Sequence, residues 1–179
     1  MLSRAGMSRR LIIIAILLIV GGVGFLLTMQ FRDALVRDRE RLVPLPELTL
    51  KDYGGREVRL MDFKGKPLVL NAWAAWCPFC KEELPDFAAA QKEFGDKILV
   101  VAIDRAEPLE VAKKYSDELG VGDSLLLLLD PEDSFYQAIG GFSMPETIFV
   151  DKDGFIRDHK RGPMKREEIR RRIQQAFEL

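Results

Sequence analysis

Trp73-Ala74-Ala75-Trp76-Cys77-Pro78-Phe79-Cys80 is the stretch on which the reading of this chain turns. Ahead of it, Pro67 to Trp73 reads as a buried strand, because Leu68-Val69-Leu70 is a continuous apolar run and no turn signal follows until the cysteines. A helix is expected to begin near Cys77. Pro78 suits the first helical position, where a backbone N–H would be unpaired in any case. With Cys77 as the N-cap, its sulfur faces the positive end of the helix, and amide donors and dipole favour thiolate over thiol. That makes Cys77 the attacking thiol. Cys80 lies one turn inward on the same side, less exposed and within reach of the first sulfur, so it is expected to resolve a mixed disulfide.

A Cys-x-x-Cys pair has other uses. A structural zinc site needs four ligands, and two cysteines with one histidine could supply it only between two chains. Haem attachment needs a histidine directly after the second cysteine, where Lys81 stands. A purely structural disulfide closing so short a loop would constrain the unfolded chain very little. Redox exchange is the stronger reading, with the Cys77–Cys80 disulfide as the redox group and neither cofactor nor metal. His159, the only histidine, sits among charges in the last expected strand and reads as a surface residue.

Outward from the cysteines, Leu48-Thr49-Leu50 and Val58-Arg59-Leu60 alternate around Gly54-Gly55 and predict a leading β-hairpin. Ile98 to Ile103 and Leu125 to Leu129 predict strands, with a helix over Leu109 to Leu119 stopped by Gly120. Strands alternating with helices imply parallel members and helices on both faces. Thr147 to Val150 and Phe155-Ile156 flank Asp151-Lys152-Asp153-Gly154, a turn suited to an antiparallel hairpin, so the sheet is mixed. Lys165 to Phe177 closes the chain as an amphipathic helix with Ile169, Ile173 and Phe177 on one face. The fold class is α/β.

The chain has 179 residues, and its net charge of −1 points to no nucleic-acid partner. Leu11 to Met29 carries no charge, between Arg9-Arg10 and Arg32, and is long enough to cross a hydrocarbon core of about 30 Å. A cleaved signal peptide has a shorter apolar core and a small-residue cleavage site, whereas Thr28-Met29-Gln30-Phe31-Arg32 follows here. The expected layout is a cytoplasmic tail over 1–10, one transmembrane helix retained as anchor over 11–29, a charged spacer over 30–46 and one globular domain over 47–179. Arg4, Arg9 and Arg10 precede the span and Arg32, Arg37, Arg39 and Arg41 follow it, so charge alone does not orient it.

Over residues 46 to 179 the chain resembles the TlpA/ResA-like membrane-anchored thioredoxins of bacteria. The resemblance is carried by Trp76 before the first cysteine, Pro85 in the same helix, the Met144-Pro145-Glu146-Thr147 string, and the extra helix and strand between Ile103 and Met144. It implies a thioredoxin fold, a domain outside the cytoplasmic membrane and thiol-disulfide exchange with client proteins, apocytochrome c among them. A membrane electron donor or acceptor would complete the cycle. Pro145 falls on the family's cis-proline, so the Met144 backbone is expected to pair with a client's extended chain, with Trp76 and Phe79 as further client contacts. Where thioredoxins carry a buried Asp, this chain has Asn71, which cannot take a proton. Glu83, three residues after Cys80 on the same helix and matched in the membrane-anchored group, is expected to move the proton of Cys80, its pKa raised by burial. The intervening Pro78-Phe79 departs from the x-Pro pattern of reducing members and leaves an oxidant as the alternative to a reductase. A peroxidase wants a Thr where Ala74 stands, and a metal-delivery module lacks the histidine or methionine cluster it would need.

Overall fold

The computed structural model describes residues 42–179 and, ahead of them, positions 14, 17, 19–22 and 24–30. The expected tail over 1–10, part of the expected anchor over 11–29 and most of the spacer lie outside the described residues. Among the described residues no helix is long and apolar enough to cross a membrane.

The strands are β1 (Val43–Pro44), β2 (Thr49–Asp52), β3 (Glu57–Arg59), β4 (Leu68–Trp73), β5 (Leu99–Arg105), β6 (Leu126–Asp130), β7 (Glu146–Val150) and β8 (Phe155–Arg161). The helices beside them are α1 (Pro78–Phe94), α2 (Leu109–Leu119), α3 (Ser134–Ala138) and α4 (Arg166–Phe177). The strands form one mixed sheet in the order β1-β8-β7-β4-β5-β6-β2-β3. β4 is buried along its whole length, parallel to β5 on one side and antiparallel to β7 on the other, which is why its sequence is apolar rather than alternating.

The path β4–α1–β5–α2–β6 steps in one direction across the sheet, so right-handed crossovers carry both helices onto the same face. Leu84 and Phe87 of α1, Ala112 of α2 and Ile169 and Ile173 of α4 close that layer over Val69, Val100 and Phe149. The opposite face is covered by less helix than expected. Leu60 in a single 3₁₀ turn (Leu60–Phe63), Leu45 and Leu50 from the leading segment, and Phe135 of the short α3 seal it. Both flanks of the sheet also hold surprises of detail. Val43–Pro44, in the stretch read as spacer, adds a two-residue edge strand against β8, a place that tolerates proline. α3 was not expected at all: its five residues are capped from outside, with the Asp130 carboxylate accepting from the amides of Ser134 and Phe135 at 2.9 and 2.8 Å.

Candidate active site

At the junction of β4 and α1, Cys77 is the N-cap and Pro78 the first helical residue. The amide of Cys80 donates to Cys77 Sγ at 3.2 Å, so a helix N–H already points at the sulfur that the dipole stabilises. Cys77 and Cys80 are joined in a disulfide. In this form both are buried, at 2 % and 1 % exposure, so the expected difference in access between them is absent. The accessible surface beside them is aromatic: Trp76 is 61 % and Phe79 52 % exposed. From beneath, fully buried Trp73 stacks on Tyr115 of α2 with ring centroids 5.5 Å apart.

Glu83 is buried on the same side of α1 as Cys80, one turn further in. Asn71 Nδ2 donates to its Oε1 at 2.9 Å and the Met164 amide to its Oε2 at 3.0 Å. Asn71 also donates to Thr147 Oγ1 at 3.0 Å, joining β4, β7 and α1 in one buried network. Burial outweighs these bonds and pushes the Glu83 carboxyl up to about 8. Its neighbour Glu82 lies at the surface in an ion pair with Lys165 at 2.9 Å. Two adjacent glutamates thus have opposite environments, and the helical phase decides which one is dry.

Met144–Pro145 is a cis peptide, and Pro145 immediately precedes β7. Glu146 pairs with Ala72 at the end of β4 that leads to the cysteines, so Pro145 stands at the same end of the sheet as the disulfide. Phe142 in this loop is 84 % exposed. His159 differs from expectation: it is only partly exposed, and its Nε2 lies 2.7 Å from Oε1 of fully buried Glu146.

Residues 43–175 match the Redoxin family. The chain belongs to that family. The redoxin is 29% identical over 160 residues to the thioredoxin-like protein YneN of Bacillus subtilis (strain 168), covering 89% of this chain and 94% of the relative. It is 30% identical over 132 residues to the thiol-disulfide oxidoreductase ResA of Geobacillus thermodenitrificans (strain NG80-2), covering 72% of this chain and 74% of the relative. Among solved structures it is similar to the pneumococcal exposed lipoprotein thioredoxin Etrx1 of Streptococcus pneumoniae strain TIGR4, at 28% identity and TM-score 0.65, covering 73% of this chain and 99% of that one. The redoxin therefore has the thioredoxin-like α/β fold and is a thiol-disulfide oxidoreductase with a disulfide-forming cysteine pair.

The redoxin carries a second buried acid that sequence reasoning passed over. Asp104, next to last in β5 and opposite Trp73, is fully buried, and neither of its carboxylate oxygens has a hydrogen-bond partner among the described residues. Burial first, then the carboxyl of Glu107, pushes it up to about 8. Glu107 Oε2 accepts from the Ala75 amide at 2.6 Å and so holds the segment that leads into Cys77. The signal was present as the one charge inside the run Val100-Val101-Ala102-Ile103-Asp104.

Proposed function

We propose that the redoxin is a membrane-anchored, extracytoplasmic reductase of client protein disulfides. Cys77, as thiolate, attacks one sulfur of a client disulfide; a mixed disulfide forms and the other client sulfur leaves as thiolate. Cys80, once deprotonated, attacks Cys77 Sγ, which releases the second client sulfur and closes the Cys77–Cys80 disulfide. Two electrons pass from the dithiol to the client, and a membrane dithiol donor restores the reduced pair. Glu83 takes the proton from Cys80 before that attack. Trp76, Phe79, Met144 and Pro145 receive the client, the Met144 amide and carbonyl pairing with its extended chain.

The observation that carries this reading is Glu83: a buried carboxyl held by Asn71 and Met164, with a pKa near neutrality, on the buried side of the helix that bears Cys80. The layout 1–10 tail, 11–29 anchor, 30–46 spacer and 47–179 domain tethers the site to the membrane. The likeness to TlpA/ResA-like thioredoxins supports the outer side, the reducing direction and apocytochrome c as one client. Pro78-Phe79 between the cysteines supports the opposite direction, disulfide introduction. Equilibration of the protein with defined thiol and disulfide buffers separates the two: a potential of about −250 mV or lower is expected, and one near about −120 mV would make it an oxidant.

A further inference from the structure

Glu146 is the first residue of β7 and follows the cis peptide directly. Its neighbour Thr147 points to the face of the sheet that carries α1, where it bonds Asn71. Successive strand side chains point to opposite faces, so the Glu146 carboxylate lies on the face away from the disulfide and has no route to the sulfurs except through the backbone. Glu146 is fully buried. Oε2 accepts from the amides of Phe142 and Ser143 at 2.9 and 3.1 Å. Oε1 lies 2.7 Å from His159 Nε2 and 3.0 Å from Arg161 Nε, both on β8, as close polar contacts that lack hydrogen-bond geometry.

The rest of the loop is tied down as closely. Tyr136 Oη donates to the Ser143 carbonyl at 3.0 Å, the Gly141 amide donates to the Tyr136 carbonyl at 2.8 Å, and the Gly162 amide donates to the Pro145 carbonyl at 2.9 Å. Gly141 lies so close to the Tyr136 ring that any Cβ would collide with it. Within this loop the amide and carbonyl of Met144 have no partner among the described residues. A segment that keeps one pair of backbone groups free for a client must be held in shape by bonds to the others. Burying a carboxylate is costly, and two consecutive amides with the Arg161 guanidinium offset that cost in this arrangement.

We propose that Glu146 is a positioning residue, whose buried carboxylate clamps the Phe142-Ser143-Met144-Pro145 loop to β8 so that Met144 is presented to an extended client chain. This rests on the reading that Met144 and Pro145 dock the client. The clamp acts on binding and leaves the thiol chemistry alone. Glu146→Gln keeps the size of the side chain but replaces one acceptor by a donor, facing either the loop amides or Arg161 with the wrong polarity.

The test uses the full-length protein, insulin as the protein disulfide, dithiothreitol as reductant and glutathione disulfide as a small probe that needs no docking loop. For Glu146→Gln, KM for insulin is expected to rise about fivefold to twentyfold with kcat within about twofold, and the rate with glutathione disulfide to stay within about twofold. Arg161→Gln, which leaves the carboxylate and its amide bonds in place, is expected to give the same split at about twofold to threefold and carries the test if Glu146→Gln does not fold. Unchanged KM, or an equal loss on both substrates, overturns the clamp. Failure of the wild type to reduce insulin would overturn the docking reading itself, an outcome distinct from either.

Discussion

Glu83 sits where an ionised carboxylate is least welcome, and that is what suits it to moving a proton. With its pKa at about 8, it is mostly protonated at neutral pH, and the fraction able to accept a proton grows as pH rises through that value. Client reduction limited by the second thiol should therefore rise between about pH 7 and 9, and Glu83→Gln should slow it by about 10- to 100-fold and remove that inflection. Stability carries the same signature with the opposite sense. A carboxyl whose pKa is higher folded than unfolded binds its proton more tightly in the native state, so its contribution to stability is fully present in acid and is lost as pH rises from about 4.5 to about 8. Glu83→Gln should flatten that fall, which urea denaturation across this range would show. Asp104 adds to the same slope from the other side of the cysteine loop. At this scale, the types and spacing of Cys77, Cys80 and Glu83 were readable in the chain. His159 was misread because its partner, Glu146, is near only after β7 and β8 pair. Asp104 and Glu107 were missed for the same cause, since Trp73 of the neighbouring strand and Ala75 in the turn after it are close to them only in the fold.

At the scale of elements, α1 works because of what it rests on. Its apolar side meets α4, whose Ile169 and Ile173 are both fully buried, and α4 begins just after Met164, the residue whose amide bonds Glu83. Ile169→Ala would leave a cavity in this layer and should cost about 2–4 kcal/mol, measured as a lower urea midpoint at unchanged slope. The elements that the chain announces are those with a repeating apolar face and a clear stop. α2 runs over Leu109–Leu119 as expected and ends at Gly120 with φ 65°, a left-handed position that suits glycine. The β2–β3 hairpin turns through Gly55 at φ 81°, the positive angle its glycines promised. α3 gave no such signal, because a five-residue helix has too little repeat to read and depends on Asp130 of the preceding strand for its cap. β1 was hidden for a related reason: two residues hold an edge position only because β8 is already there.

For the molecule as a whole, the proposed anchor over 11–29 and the sheet-based domain are separate questions, and each has its own measurement. If the anchor spans the bilayer, full-length protein should stay in the membrane pellet after alkaline carbonate extraction, while a chain starting at residue 42 should be released. Recovery of the full-length chain in the supernatant would remove the anchor from the proposal. The sequence by itself determined the α/β class, the mixed sheet, the place of the cysteines at a strand-to-helix junction and the resemblance that marks Pro145, since each rests on neighbours in the chain, on periodicity or on a short motif. Only the tertiary structure decided that three helices share one face, that Asp104 is buried, and that His159 and Arg161 of β8 meet the carboxylate of Glu146 on β7. Those outcomes depend on desolvation and on hydrogen bonds between strands far apart in sequence, which no local pattern encodes.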